Sequence, residues 1–260
     1  MLVAEIFRSL QGEGRLTGTE SVFVRFSGCN LRCGYCDTPY ASWSPEGEDL
    51  SVSEILERID ELSRGPSPPH VQQAKKRFFP PPCEERRTSS AAEAPVRHVV
   101  LTGGEPMLFA ELIPLTVGLH QRGRHITIET AGTLYLPVKC DLMSVSPKLS
   151  NSIPQGEGWE KWRRRHELHR YDAEAIRRLA AEYNCQWKFV IDAVEDCLEV
   201  EDFLARHTEI NRRDVMLMPQ GIDIEALKEK ERWLAPYCAA HGLQFCPRKQ
   251  IEWFGVGRGV

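Results

Sequence analysis

Cys29, Cys33 and Cys36 lie in the run GCNLRCGYCDT, a Cys-x3-Cys-x2-Cys spacing. Three thiolates so close together can wrap one metal centre, and no further Cys or His follows nearby as a fourth ligand. A closed structural zinc site wants four ligands, usually in two pairs. An incompletely ligated, thiolate-held centre suits a four-iron, four-sulfur cluster with one iron open to a small molecule. The triplet therefore points to chemistry more than to structural support, with a structural zinc site as the alternative.

A second candidate is Thr102-Gly103-Gly104-Glu105-Pro106, which follows the strand-like His98-Val-Val-Leu-Thr102. Alone it reads as a strand-to-helix turn, because Gly and Pro punctuate such turns. Together with the cysteine triplet and the aromatic Tyr35 before its last cysteine, it resembles the radical S-adenosylmethionine superfamily. That resemblance implies that the open iron binds the amino and carboxylate groups of S-adenosylmethionine. It also implies that the reduced cluster drives carbon–sulfur cleavage to an adenosyl radical, so that the cofactor carries the hard step and no side chain is assigned as catalytic. Bare backbone at the Gly-Gly step would let the chain approach the cofactor.

Further pieces narrow the resemblance. They are Ser9-Leu10-Gln11-Gly12-Glu13-Gly14, Arg25, Cys36-Asp37-Thr38-Pro39-Tyr40-Ala41, Ser146-Pro147-Lys148 and the tail Gly257-Arg258-Gly259-Val260. Each is short, but their order and joint presence resemble the 7-carboxy-7-deazaguanine synthase family from residue 9 to residue 260. The resemblance implies a radical ring contraction of 6-carboxy-5,6,7,8-tetrahydropterin to 7-carboxy-7-deazaguanine, with loss of ammonia, in queuosine or other deazapurine biosynthesis. It implies Mg2+ beside the 4Fe-4S cluster and S-adenosylmethionine, one cluster per chain, an electron donor such as flavodoxin, and a homodimer.

Carried onto this chain, the resemblance makes Cys29, Cys33 and Cys36 the cluster ligands and Thr38 the magnesium ligand. Magnesium takes few protein ligands and fills its octahedron with water and substrate oxygens, so a lone threonine is physically sensible. Leu10, Gln11, Gly12, Glu13, Arg25, Thr102 and Val260 would contact the pterin. Gln11 offers both donor and acceptor and Glu13 accepts, which suits an aminopyrimidinone edge. Arg25, opposite Val24 on a strand, could hold a carboxylate with two parallel bonds. Tyr35, Cys36, Asp37, Gly104, Glu105, Ser146, Pro147, Lys148 and Gln220 would line the S-adenosylmethionine site. A glycyl-radical activase needs a peptide groove and extra cluster cysteines, and the chain shows no second cysteine grouping. A non-catalytic metal-binding module is the alternative from another class.

These residues need a scaffold that brings strand ends together. Ser21–Phe26 reads as a strand running into the cysteine loop. Ser53–Arg64 reads as a helix with Ser53 as its cap, Ile55, Leu56, Ile59 and Leu62 as its apolar stripe, and an outward Glu54–Arg58 pair. Strands at 98–102, 125–129, 141–145, 187–191, 215–218 and 243–245 alternate with helices at 107–120, 172–184, 195–207 and 223–241. About six such βα units predict an α/β fold, a partial, open (βα)6-type barrel with a mainly parallel sheet. Sites in such folds form at the carboxyl ends of strands, where the cysteine loop, the Gly-Gly turn and Ser146-Pro147-Lys148 all fall.

The chain reads as a single domain over 1–260. A stretch at about 65–97 holds seven of the seventeen prolines and reads as a surface insertion or loop, docked at most by Phe78-Phe79. Asn151–Arg170 reads as a further insertion. Its basic piece Lys161–Arg170 reads as a solvated helix face, and His166 and His169 suggest no metal. The Gly-rich tail from Gly255 is no dinucleotide fingerprint, since no helix follows.

Bulk properties fit. Hydrophobic content is 42%, charged content 27% and net charge −4, which announces neither a nucleic-acid nor a membrane surface. Six of the nine cysteines are scattered and the count is odd, so no disulfide framework is expected. The N-terminus lacks a signal-peptide core and no apolar run approaches the roughly 20 residues that span a bilayer. A cytoplasmic, reducing setting is expected.

Overall fold

Alternation of apolar and polar residues in the strands dictates a two-faced sheet. A computed structural model of the chain describes residues 1–79 and 94–259. Its strands are β1 (Leu2–Leu10), β2 (Glu20–Phe26), β3 (Glu48–Asp49), β4 (His98–Gly103), β5 (His125–Thr130), β6 (Leu142–Val145), β7 (Cys185–Ile191), β8 (Val215–Pro219) and β9 (Gln244–Phe245). They form one sheet in the order β3-β1-β2-β4-β5-β6-β7-β8-β9. From β2 to β9 all pairings are parallel, while β1 runs antiparallel to β2 and to β3. The α/β partial barrel expected from the sequence is the fold observed.

One face of the sheet carries Val24, Leu101, Ile128, Met143, Trp187, Phe189 and Leu217, all buried in the main core. Helices cover that face: α2 (Val52–Arg64), α4 (Leu112–Gln121), α6 (Ala173–Glu182), α7 (Val194–Arg206) and α8 (Ile224–Ala240), whose buried residues include Ile59, Leu115, Leu179, Val200 and Leu234. The opposite, inner face carries a run of polar residues. Because residues paired across neighbouring strands lie on one side of the sheet, Glu5, Arg25 and Thr102 share it, as do Glu129, Ser144 and Gln186.

The sheet does not close, and the segment after β1 spans the gap. The Gly12 carbonyl accepts from the Lys249 amide at 3.0 Å, and the Arg15 amide donates to Gln186 Oε1 at 2.9 Å. Lys249 opens α9 (Lys249–Phe254), which packs on α3 (Pro69–Phe78). A β-carbon on Gly12 would lie 2.7 Å from the Gln250 backbone nitrogen and 2.6 Å from its Cβ, so this crossing admits only glycine.

The structure adds a strand and corrects several local expectations. Leu2–Leu10, given no element from sequence, is a strand whose charges at Glu5 and Arg8 are paired by Arg25 and Glu20. Residues 69–78, expected to be loop, form α3, with Val71 and Ala74 buried against Leu10, Trp253 and Phe254. The run of exposed polar residues hid a two-residue apolar contact. Phe79 docks edge-on against Trp253 at 5.4 Å, while residues 80–93 lie outside the described part. Ser51 rather than Ser53 caps α2, in a capping box with Glu54. Arg58 then pairs with Glu48 at 2.8 Å instead of Glu54, because the cap takes that carboxylate. Met107 lies in a short 3-10 turn, and α4 starts only at Leu112.

Candidate active site

The inner face gathers groups that the sequence scatters. Gln11 Nε2 donates to Glu129 Oε1 at 3.0 Å, and Thr102 Oγ1 donates to Glu129 Oε2 at 2.8 Å. Glu129 thus joins two of the expected pterin contacts. Arg25 binds Glu5 Oε1 through Nε at 2.6 Å, and Tyr40 donates to the same oxygen at 2.8 Å. The two terminal nitrogens of Arg25 make no hydrogen bond to any described residue.

Glu13 is held differently. Its carboxylate pairs with Lys188 of β7, lies 3.4 Å from Arg248 Nε and accepts from Gln250 Nε2 at 2.5 Å. Burial alone would raise its pKa, but Lys188 and Arg248 outweigh burial and bring it down to about 2. Lys188 is buried too, which would depress its pKa, and the facing Glu13 and Glu129 charges raise it instead. Arg248 also bonds Asp37 Oδ2 at 2.5 Å through Nη2. The network therefore links the barrel interior to the residue after Cys36.

The cysteine loop follows β2 and rests on the Gly-Gly turn after β4. A β-carbon on Gly104 would lie 2.0 Å from the Gly28 carbonyl oxygen and 2.7 Å from that of Ala41. The space opposite Gly104 is thus filled by backbone on either side of the cysteines, and that contact requires the glycine. Glu105, expected beside the cofactor, is fully buried. It accepts from Thr130 Oγ1 at 2.8 Å, Ala131 N at 2.8 Å and Met107 N at 3.1 Å, and burial raises its pKa. It ties the Gly-Gly turn to the end of β5. Lys148 Nζ donates to the carbonyl and hydroxyl oxygens of Ser146 at 2.8 and 2.9 Å. Tyr35 packs with Val190, Met216, Met218 and Cys246, which extends the apolar wall between the cysteine loop and β8.

Other expected residues fall as follows. Thr38 precedes α1 (Pro39–Ser42), and its hydroxyl makes no hydrogen bond to a described residue. Gln220 follows β8, and its side chain is likewise uncommitted. Leu10 turns its side chain into the apolar cluster under α3 and α9, so only its backbone could serve a ligand. Val260 lies outside the described residues.

A 7-carboxy-7-deazaguanine synthase from Rhodopirellula baltica is 40% identical over 261 residues, spanning 100% of this chain and 89% of its own. The chain belongs to the 7-carboxy-7-deazaguanine synthase family. A second family member, from Halobacterium salinarum, is 36% identical over 258 residues, covering 96% of this chain and 88% of its own. The crystal structure of QueE from Escherichia coli matches with a TM-score of 0.59 at 24% identity, covering 95% of this chain and 93% of that one, which shows a shared fold. No protein-family model matches.

Membership of the 7-carboxy-7-deazaguanine synthase family implies a 4Fe-4S cluster and S-adenosylmethionine, and the donor set fits them. Cys29, Cys33 and Cys36 are free thiols that feel one another's charge. Burial pushes the Cys29 thiol up to about 12 and Cys33 up to about 11, so these thiolates are costly unless a cation holds them. Among the described residues no three such side chains are grouped to hold one metal ion. Cys29, Cys33 and Cys36 would together hold the cluster, each supplying one thiolate. The other described cysteines behave as small apolar residues: Cys185, Cys197, Cys238 and Cys246 are buried and Cys140 is half-buried.

Sequence reasoning missed Glu129, Lys188, Arg248, Glu5 and Gln186. A charged residue within the apolar run Trp187–Ile191 of a parallel strand was the available signal for Lys188, since such strands are buried on both faces.

Proposed function

We propose that this chain carries out its family's ring contraction of 6-carboxy-5,6,7,8-tetrahydropterin to 7-carboxy-7-deazaguanine on the polar inner face of the barrel. The 40% identity across the entire chain carries that reading. When bound, the cluster and S-adenosylmethionine supply the one-electron chemistry that starts the radical reaction. The chain's own residues bind and orient. The free ends of Arg25 suit the substrate carboxylate in a bidentate pair. Gln11, Thr102 and Glu129, already mutually bonded, present amide, hydroxyl and carboxylate groups that suit an aminopyrimidinone ring. Lys188 and Arg248 keep Glu13 ionised as an acceptor. Tyr35, Met216 and Met218 exclude water beside the cysteine loop.

Thr38 is the proposed magnesium ligand, supported by its uncommitted hydroxyl two residues after Cys36. Asp37, Gly104, Glu105, Ser146, Pro147, Lys148 and Gln220 are the proposed surroundings of S-adenosylmethionine, with Val260 completing the pterin site. An external one-electron donor such as flavodoxin, a homodimer and a cytoplasmic setting rest on the family resemblance. No helix among the described residues is long and apolar enough to cross a membrane.

The test is anaerobic reconstitution, reduction and addition of S-adenosylmethionine with carboxytetrahydropterin. About four irons per chain and a deazaguanine product stimulated by magnesium are expected. Zinc in place of iron, or cofactor cleavage without product, would overturn the reading. Thr38→Val should abolish the magnesium response. Arg25→Ala should raise KM about 10- to 100-fold, the loss of a charge-assisted bond of about 1.5–3 kcal/mol, and leave iron content intact. Loss of iron in that variant would contradict its role.

A further inference from the structure

One histidine outside the polar row touches the cysteine loop itself. It belongs to α5 (Glu160–His169), whose exposed residues include Lys161, Arg164 and Arg165. His166 is the exception on that helix, only 1% exposed. Its Nδ1 accepts the backbone N–H of Arg32 at 3.2 Å. Its Nε2 lies 2.9 Å from Ser152 Oγ, which itself donates to the Leu149 carbonyl at 2.5 Å. The hydroxyl proton is thereby used, so Ser152 accepts and His166 carries its proton on Nε2. Burial, with Arg170 and Lys148 nearby, holds the ring neutral, with its pKa down to about 4.

The same segment grips the loop a second time. The Ser152 carbonyl accepts the Gly34 amide at 2.8 Å. Arg32 lays its guanidinium over Trp162 at 4.8 Å and donates to the Cys29 and Leu31 carbonyls at 2.8 and 2.7 Å. The two amides flanking Cys33 are therefore both tied to the 149–166 segment, which follows directly on Ser146-Pro147-Lys148. This chain's helix α5, read from sequence as a solvated face, props the loop from behind.

We propose that His166 is a positioning residue for the cluster loop. By accepting the Arg32 amide it fixes the backbone beside Cys33 before the cluster is built and occupies an N–H that would otherwise be free to donate to the cluster sulfurs. Hydrogen bonds to those sulfurs are one of the levers on a cluster's potential. The proposal rests on the iron–sulfur reading only for its second half, since the loop contact exists in the polypeptide alone.

Two readouts test it on the full chain. Hydrogen exchange at the Arg32 amide, measured before cluster loading, should quicken about five- to tenfold in His166→Leu, the loss of one net hydrogen bond. After loading, that variant should retain less iron, and its cluster potential should shift upward in a redox titration followed by electron paramagnetic resonance. His166→Asn can present an acceptor where Nδ1 stood and should restore slow exchange and the original potential. His166→Gln reaches only the Nε2 position and should restore neither. Unchanged exchange and potential in His166→Leu would reduce the histidine to packing, and equal rescue by Asn and Gln would overturn the assignment to Nδ1. Slow exchange with zinc bound instead of iron would leave the loop contact standing and remove the iron–sulfur reading, so the two failures are distinguishable.

Discussion

Lys188→Met is expected to cost about 3–5 kcal/mol, the loss that follows when one partner of a buried ion pair is removed. Lys188 and Glu13 have side chains 8% and 14% exposed, so solvent cannot replace the missing charge. In the native chain Glu13 is held at about 2. Its contribution is therefore fully present above the ordinary carboxylate value of about 4.3 and is lost progressively as pH falls from there through about 2. Lys188 is raised, so its contribution is present below its ordinary value of about 10.4 and is lost only above that. Neither contribution changes between pH 8 and 5.5; the wild type's slope there comes from histidines held neutral by burial, His166 foremost, and lowers stability as pH falls. In Lys188→Met burial regains weight and the Glu13 carboxyl moves up, so the gap to wild type should narrow as pH falls across the same window. Urea unfolding at several pH values checks this. A pH-independent gap would assign the loss to packing. Glu13→Gln with Lys188→Met should cost less than Lys188→Met alone, because the buried carboxylate left with Arg248 alone is removed and Arg248 keeps Asp37.

Gly104→Ala is expected to damage the site from the backbone side. The new methyl would sit 2.0 Å from the Gly28 oxygen and 2.7 Å from the Ala41 oxygen, and neither belongs to a side chain that could swing away. Relief requires moving the turn off the strand end that leads into Cys29, or off α1 after Cys36. Overpacking typically costs about 1–3 kcal/mol, and a clash between two backbones belongs at the upper end. Iron content after reconstitution should fall in parallel with the unfolding midpoint. Gly65→Ala is the control, since its nearest neighbour would be 3.7 Å away and its φ of −66° suits any residue. Equal effects of the two substitutions would sink the backbone argument.

Both predictions fall on residues whose partners are remote in sequence, and that separates what was legible from what was not. The cysteine triplet, the Gly-Gly-Glu-Pro turn and the strand–helix alternation are local patterns, spelled out within a few residues by spacing and periodicity. They carry the family resemblance and the class of fold. The Glu13–Lys188 pair joins residues 175 apart, and the Glu13–Arg248 pair residues 235 apart. Only the parallel register and the crossing at Gly12 put them together. The glycines show the same division. Their presence in the motifs is plain in the sequence, but at Gly12 and Gly104 the reason is a neighbouring stretch of chain, Gln250 in one case and Gly28 in the other.

By itself, then, the sequence determined the three thiolates, the open-barrel class and the family, because each is written in short-range order or in similarity along the whole chain. Tertiary structure alone decided that Glu129 joins Gln11 to Thr102, that Lys188 and Arg248 hold Glu13 ionised, and that α5 turns His166 inward against Arg32. The physical reason is common to all three. A buried polar group is settled by the partner that satisfies it, and the partner is chosen by how strands and loops cross in space.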